Sequence, residues 1–375
     1  METLDLAAIR SRIDKIDAQL VALLEERLAA VLEVAAYKKE RALPVFDAER
    51  EAQVITKACA RLQHQEYASA VTAVLAAVME RSRNLEHTLL AAAGSAQSSS
   101  QVLEVGCFGM PGSYSHQALE KYFAGQPVNR HHYALFEDVV QAVKQGEIKY
   151  GVLPIENSST GGITEVYDLL RHYDCHIVGE QCVKIEHNLL GVPGARLEDI
   201  TTVYSHPQGF AQSKEFFHQY PQMELVPYFS TSKSAETVRD QQDKHLAAVA
   251  GQQAAAMYGL QILAANINYN SNNYTRFIVV ANAAEQAPNA NKITVVVAVK
   301  HEPGSLYRTL GHFYHSGLNM MNLESRPIEG KSWEYFFHID LMGNLGEAKV
   351  RQALEQLADS CAYCKVLGNY PADGR

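Results

Sequence analysis

The 375-residue sequence has no apolar run long enough to cross a bilayer, which excludes a membrane-spanning helix. It has no basic excess. Lys and Arg number 33 against 42 Asp and Glu, a net charge of −9, so nucleic acid is not expected as a main partner. The six cysteines are scattered except for Cys361 and Cys364, and that isolated pair lacks the other ligands of a structural zinc; free thiols are expected. His131-His132, and His172 with His176 one helical turn on, have no carboxylate or Cys cluster to complete a metal set and read as ordinary histidines. Met1-Glu2 leads into an amphipathic helical pattern, not a signal peptide, so a cytoplasmic location is expected. No internal repeat is evident. At 47% hydrophobic the chain can build two or three domains with real cores.

What is present begins with a cation where an apolar side chain belongs. At alternating steps of four and three, the first segment runs Ile9, Ile13, Ile16, Leu20, Leu23, Arg27, Ala30, Val34, Tyr37. Arg27 either snorkels out along its stem or faces an anion, because a buried unpaired charge costs several kcal/mol. Lys38, eleven residues on, shares its face with the backbones about 16 Å apart, a gap that two long side chains bridge around a small anion. Arg10 lies about 25 Å from Arg27 along the same axis, so only an antiparallel partner helix brings an Arg10 alongside. A helical dimer with shared sites is expected. A second helix starts after Pro44 with Asp47 as cap and Arg50 and Glu51 on the Asp47 face. A third, over 66–90, carries Ser82 and Glu86 one turn apart on an otherwise apolar helix.

The order Ile9-Arg10, Ile13-Asp14, Arg27, Lys38, Pro44-Val45-Phe46-Asp47, Arg50-Glu51 resembles the all-helical chorismate mutases over roughly the first ninety residues. The resemblance implies that Arg27 and the partner chain's Arg10 take substrate carboxylates and that Lys38 meets a carboxylate and the ether oxygen. It further implies that Arg50 and Asp47 frame the site, that Glu51 meets the substrate hydroxyl, and that Ser82 and Glu86 line the far wall. A [3,3] rearrangement of a flexible dianion needs no nucleophile, metal or cofactor. Fixed cations fold the substrate and stabilise charge on the breaking C–O bond.

Residues 91–101 are small and uncharged without an apolar period and read as a linker; a second break falls at 283–291. Between them strand, turn and helix alternate. Val102 to Phe108 runs into Gly109-Met110-Pro111-Gly112-Ser113-Tyr114-Ser115, and Tyr150 to Leu153 into Pro154-Ile155-Glu156-Asn157-Ser158. Thr202 to Tyr204 runs into Ser205-His206-Pro207-Gln208, and Leu225 to Tyr228 into Ser230-Thr231-Ser232. Each turn alone is plain capping, whereas together, at the carboxyl edge of an α/β sheet, they suggest a cleft for a polar anion. With Gln212 and Asn272-Asn273-Tyr274-Thr275-Arg276-Phe277, this order resembles the prephenate dehydratase domain over about 180 residues. The resemblance implies two α/β lobes around a cleft, like the bacterial periplasmic solute-binding proteins, with Thr275 as the main catalytic residue and Asn157, Ser205 and Gln212 around the substrate. A Thr hydroxyl is a poor acid by itself, so Thr275 must be polarised by neighbours or pass on a proton from elsewhere, and Glu156 and Arg276 are nearby candidates.

After 291 the pattern is βαββαβ, a ferredoxin-like α+β unit. Gly304-Ser305-Leu306 at its first helix and Glu324-Ser325-Arg326-Pro327 after its second strand resemble the ACT domains with which such dehydratases sense phenylalanine; a surface Glu324–Arg326 pair is the bland alternative. The expected division is a mutase domain over 1–90, a linker over 91–101, a dehydratase over 102–282 and an effector domain over 291–375. Chorismate and prephenate are the expected substrates, phenylalanine the effector, and a homodimer through the N-terminal helices, or a tetramer, the assembly. A non-catalytic amino-acid receptor and an arogenate dehydratase are the rival readings.

Overall fold

The computed structural model describes residues 5–40, 48–75, 78–79, 82, 102–285, 287 and 289–374, and the chain divides into two compact units, 1–100 and 101–375. In the first unit a single helix runs from Leu6 to Glu40. Its 35 residues contain neither Gly nor Pro, and Asp5 caps its start by accepting the Ala7 N–H at 2.9 Å. A second helix covers Ala48–Ala60, and residues 68–75, 78–79 and 82 are helical. The apolar seam of the first helix stays open: Ile13, Ile16, Leu20 and Leu23 are 49%, 48%, 51% and 61% exposed.

The second unit contains three sheets. The first has the order β2 (Val128–Tyr133), β1 (Leu103–Phe108), β3 (Tyr150–Asn157), β11 (Tyr274–Ala281), β5 (His176–Lys184), with the short β4 (Gly161–Gly162) beside β3. The second has the order β10 (Gln261–Ala264), β6 (Asn188–Gly191), β9 (Leu246–Ala250), β7 (Thr202–Ser205), β8 (Glu224–Pro227). The chain passes between these sheets twice, from β5 to β6 and back from β10 to β11. That double crossing makes two lobes with a cleft at their junction.

The Pro154–Asn157 motif, expected to begin a turn, is instead the end of β3. The strand is extended because it is paired on both sides, Thr275 opposite Asn157 on β11 and Gly162 opposite Glu156 on β4. The turn follows at Ser158–Thr160.

The third sheet has the order β13 (Met320–Pro327), β14 (Tyr335–Met342), β12 (Lys292–Ala298), β15 (Tyr363–Tyr370), with helices Ser305–His315 and Ala348–Ser360, the βαββαβ arrangement. It shares a core with the first lobe: Val296, Leu367 and Tyr370 pack in one cluster with Ile177, Ile278 and Val280. The approach is closest at Gly368, where an added Cβ would lie 2.1 Å from the Ile177 carbonyl oxygen.

Candidate active sites

In the helical unit, Arg27 and Ser82 meet although 55 residues separate them. Arg27 Nη1 donates to Ser82 Oγ at 2.5 Å, and that hydroxyl donates to the Val78 carbonyl at 2.7 Å. Ser82 is buried and Arg27 half-buried. A hydroxyl accepts the hydrogen bond without neutralising the charge, so the guanidinium keeps its attraction for an anion. Arg10 and Arg50 are exposed. Lys38 and Glu51 lie within the first and second helices with side chains outside the described residues, and Asp47 and Glu86 lie wholly outside them.

In the second unit a cavity of about 390 Å³ opens between the lobes. Phe108, Phe136, Pro154, Ile163, Ile185 and Phe277 supply its apolar walls, and Asn157, His187, Gln212, Thr231 and Thr275 its polar groups. Among the described residues no Asp, Glu, Lys or Arg side chain lines it. Positive potential comes from the starts of two helices, Tyr114–Tyr122 and Thr231–Gln241, capped by Ser113 and Ser230. Gln208 reaches across from the second lobe to Thr160 Oγ1 of the first at 3.3 Å.

A buried chain of hydrogen bonds ends on Thr275. Asn157 Nδ2 donates to Thr275 Oγ1 at 2.9 Å and to Asn273 Oδ1 at 2.8 Å, and Asn157 Oδ1 accepts the backbone N–H groups of Ser159 and Thr160. Asn273 Nδ2 donates to Gln212 Oε1 at 3.1 Å, which also takes a hydrogen bond from His187 Nε2 at 2.8 Å. His187 Nδ1 lies 3.1 Å from the Tyr114 hydroxyl, itself 2.9 Å from the Glu186 carbonyl oxygen. Burial holds the His187 imidazole below its ordinary pKa, against the opposing bond to Gln212, so the ring is neutral. With Nε2 donating, Nδ1 carries no proton, and the Tyr114 hydroxyl, which burial keeps protonated, shares its one proton between the Glu186 carbonyl oxygen and Nδ1. The amide of Asn157 occupies a lone pair of Thr275 and leaves its proton to be donated into the cavity.

Asn157, Gln212 and Thr275 thus converge as expected from the sequence. Ser205 does not line the cavity. It is fully buried, donates to the Val249 carbonyl at 3.2 Å, and lies beneath Gly209, where a Cβ would come within 2.6 Å of its Oγ. Glu156 and Arg276 are also away from the cavity, because alternation along β3 and β11 turns them to the opposite sheet face, where they pair with each other at 3.0 Å. His187 and Asn273 are the residues the sequence reading passed over. The signal for both is buried polar residues where the chain changes lobes.

Gly304 caps the helix Ser305–His315 with a left-handed φ of 78°, and Ser305 Oγ accepts from Arg308 at 3.2 Å, with Leu306 half-buried beside it. Glu324 and Arg326 are not a surface pair. Both sit on the half-buried face of β13, where Arg326 pairs with Asp168 at 2.6 Å and Glu324 Oε2 lies 2.9 Å from where a Cβ on Gly162 would be. Ser325 and Pro327 are on the exposed face. Among the described residues His131 pairs with Glu104, and His132 with His116 at 3.2 Å.

Residues 9–87 match the family model of chorismate mutase type II, and residues 105–285 that of prephenate dehydratase. The bifunctional chorismate mutase/prephenate dehydratase of Escherichia coli strain K12 is 35% identical over 380 residues, covering 98% of this chain and 96% of that protein. Among solved structures, a prephenate dehydratase from Arthrobacter aurescens in complex with L-Phe is 30% identical with a TM-score of 0.66, covering 72% of this chain and 90% of that one. GqqA, described as a novel type of quorum quenching acylase, is 32% identical with the same TM-score of 0.66 over 72% of this chain and 98% of its own.

Proposed function

This chain belongs to the bifunctional chorismate mutase/prephenate dehydratases, and from that premise we infer that it rearranges chorismate to prephenate in its helical unit and converts prephenate to phenylpyruvate in the cleft. The observation that carries the second step is the Thr275 hydroxyl, held by Asn157 at 2.9 Å in a cavity that, among the described residues, is lined by no carboxylate, Lys or Arg. Prephenate leaves as three fragments: carbon dioxide from the ring carboxylate, hydroxide from the opposite ring carbon, and the aromatic product. Aromatisation supplies the driving force, so the protein's task is to protonate the departing hydroxide. Thr275 donates that proton while the Asn157 amide stabilises the charge left on its oxygen, a general-acid contribution of about 10²–10⁴-fold. The apolar walls disfavour the ring carboxylate relative to neutral carbon dioxide, and the helix starts at Ser113 and Ser230 hold the side-chain carboxylate. Gln212 and Asn273 keep Asn157 oriented; Ser205 supports the wall from behind.

For the mutase step, Arg27 binds a substrate carboxylate, with Lys38, Arg50, Asp47, Glu51, Ser82, Glu86 and the partner chain's Arg10 completing the pocket. The exposed seam from Ile13 to Leu23 supports burial against a second copy in a dimer, or a tetramer built from it. The domains are taken as 1–90, 102–282 and 291–375 with a linker at 91–101, the last being an ACT domain that binds phenylalanine at Gly304–Leu306 and Glu324–Pro327 and feeds back on the dehydratase. A cytoplasmic location suits such a biosynthetic enzyme; among the described residues no helix is long and apolar enough to cross a membrane. Separation of the activities tests the reading. Thr275→Ala is expected to lose about 10²-fold or more of the dehydratase rate with the mutase rate intact, and Arg27→Ala the reverse. Equal damage to both steps in either variant refutes two independent sites, and turnover of arogenate in preference to prephenate reassigns the substrate.

A further inference from the structure

We propose that Arg276 is the positioning residue for Thr275, and that Asp340 of the C-terminal sheet holds it in place, so that the catalytic hydroxyl is aimed from behind by a different part of the fold. The proposal rests on the reading of Thr275 as the proton donor. Adjacent residues of a strand point to opposite faces. Thr275 therefore opens into the cavity while Arg276 is driven through the back of the first lobe, where it is 7% exposed. There its guanidinium donates to Glu156 Oε2 from Nε at 3.1 Å and to Glu180 Oε2 from Nη1 at 3.3 Å, and its Nη2 lies 2.8 Å from Asp340 Oδ2 in a charge contact without hydrogen-bond alignment. Asp340 is itself fixed, since Oδ1 accepts the Thr294 hydroxyl at 2.6 Å, and that hydroxyl lies 2.8 Å from the Tyr370 phenol. Asp340, Thr294 and Tyr370 come from three different strands, β14, β12 and β15, which makes the carboxylate a rigid socket and not a mobile surface group.

Backbone pairing fixes Thr275 unevenly. The ladder to β5 runs unbroken from Tyr274 to Val279, whereas the register to β3, the strand that carries Asn157, shifts between Arg276 and Phe277. A side chain anchored at Arg276 restores what the bulge removes. It sets the twist of the backbone at Thr275 and so the 2.9 Å contact with Asn157. A misplacement of about 1 Å at a reacting group costs about 10²-fold in rate, and a partial loosening correspondingly less.

The full-length protein carrying Asp340→Asn tests this. The exchange keeps the shape of the side chain and leaves Glu156 and Glu180 for the cations Arg276 and Lys292, so a cluster of three carboxylates and two cations becomes charge-matched and a folded variant is expected. The expected result is a dehydratase kcat lowered about tenfold, KM within about twofold of the parent, and an unchanged mutase rate. A second variant, Thr294→Val, loosens the socket without touching a charge and is expected to lower kcat by a smaller factor at constant KM; it decides the matter if the first does not accumulate in folded form. An unchanged kcat in either folded variant overturns the proposal. So does a loss shared equally by the mutase rate, or one that follows the folded fraction, since that is the signature of general damage. Thr275→Ala measured alongside keeps the two readings apart: if it retains the dehydratase rate, the assignment of Thr275 fails, whereas an inactive Thr275→Ala beside a fully active Asp340→Asn removes Arg276 and Asp340 alone.

Discussion

Acid should unfold this protein partly through one histidine, and replacing that histidine should remove a calculable part of the effect. His338, on β14, is 2% exposed, and among the described residues neither ring nitrogen has a hydrogen-bond partner. Its ring meets Tyr167 edge-on at 4.9 Å. Burial pushes its pKa from 6.5 to about 4, with Asp168 and Asp340 opposing the shift and Arg171 and Arg326 adding to it. Between those two values the unfolded chain binds a proton that the native chain does not, so stability is complete above 6.5 and falls as the pH drops toward 4. The loss works out at about 0.8 kcal/mol at pH 6 and about 2.5 kcal/mol at pH 4.5. His338→Phe keeps a ring against Tyr167 and cannot titrate. Other histidines whose pKa burial lowers, His116, His132, His187 and His206, remain in both proteins and cancel in the comparison. Urea unfolding followed by circular dichroism at pH 8 and 4.5 measures the difference: the parent should lose about 2.5 kcal/mol more than the variant, a midpoint shift of roughly 1 M. Parallel losses in the two proteins would refute a neutral, buried His338.

Two further outcomes follow from contacts described above. Gly368→Ala places a methyl group 2.1 Å from the Ile177 carbonyl oxygen, a backbone atom that cannot swing aside, so thermal unfolding should show a loss of about 1–3 kcal/mol or more; an unchanged midpoint would mean that β15 and β5 separate easily. His187→Phe removes both ring nitrogens and leaves Gln212 Oε1 with Asn273 as its remaining donor in this network, which should cost about 1–3 kcal/mol in stability and lower the dehydratase rate without affecting the mutase; equal rates in parent and variant would detach His187 from the chain that ends on Thr275.

How much of this is legible in the sequence depends on whether a signal is periodic or pairwise. The order of strands and helices after Lys292 is legible because β12 and β14 are short apolar runs rich in β-branched and aromatic residues, β13 alternates, and each helix keeps its apolar face. Arg27 is legible as a break in a regular seam. The end of β3 is not, because Pro154 and Asn157 carry turn propensity, and only pairing with β11 and β4, segments distant or short, holds them extended. His187 and Asn273 are isolated polar residues whose burial arises only when the two lobes meet.

The strand Tyr335–Met342 carries the most instructive case. His338 and Asp340 occupy alternate positions, both buried, on a strand whose other residues are chiefly apolar. Alternation by itself assigns such polar positions to a solvated face. That face is instead a junction with the first lobe, where Asp340 meets Arg276 at 2.8 Å and His338 meets the Tyr167 ring. A guanidinium from the first lobe arrives there to pair with the carboxylate, and an imidazole can remain there because burial holds it neutral. Neither residue has a reason for its place within its own strand. For Asp340 the reason lies 64 residues upstream, at Arg276 beside Thr275, and for His338 at Tyr167, which is why reading the strand alone gives the wrong face and reading the strands together gives a route from the C-terminal sheet to Thr275.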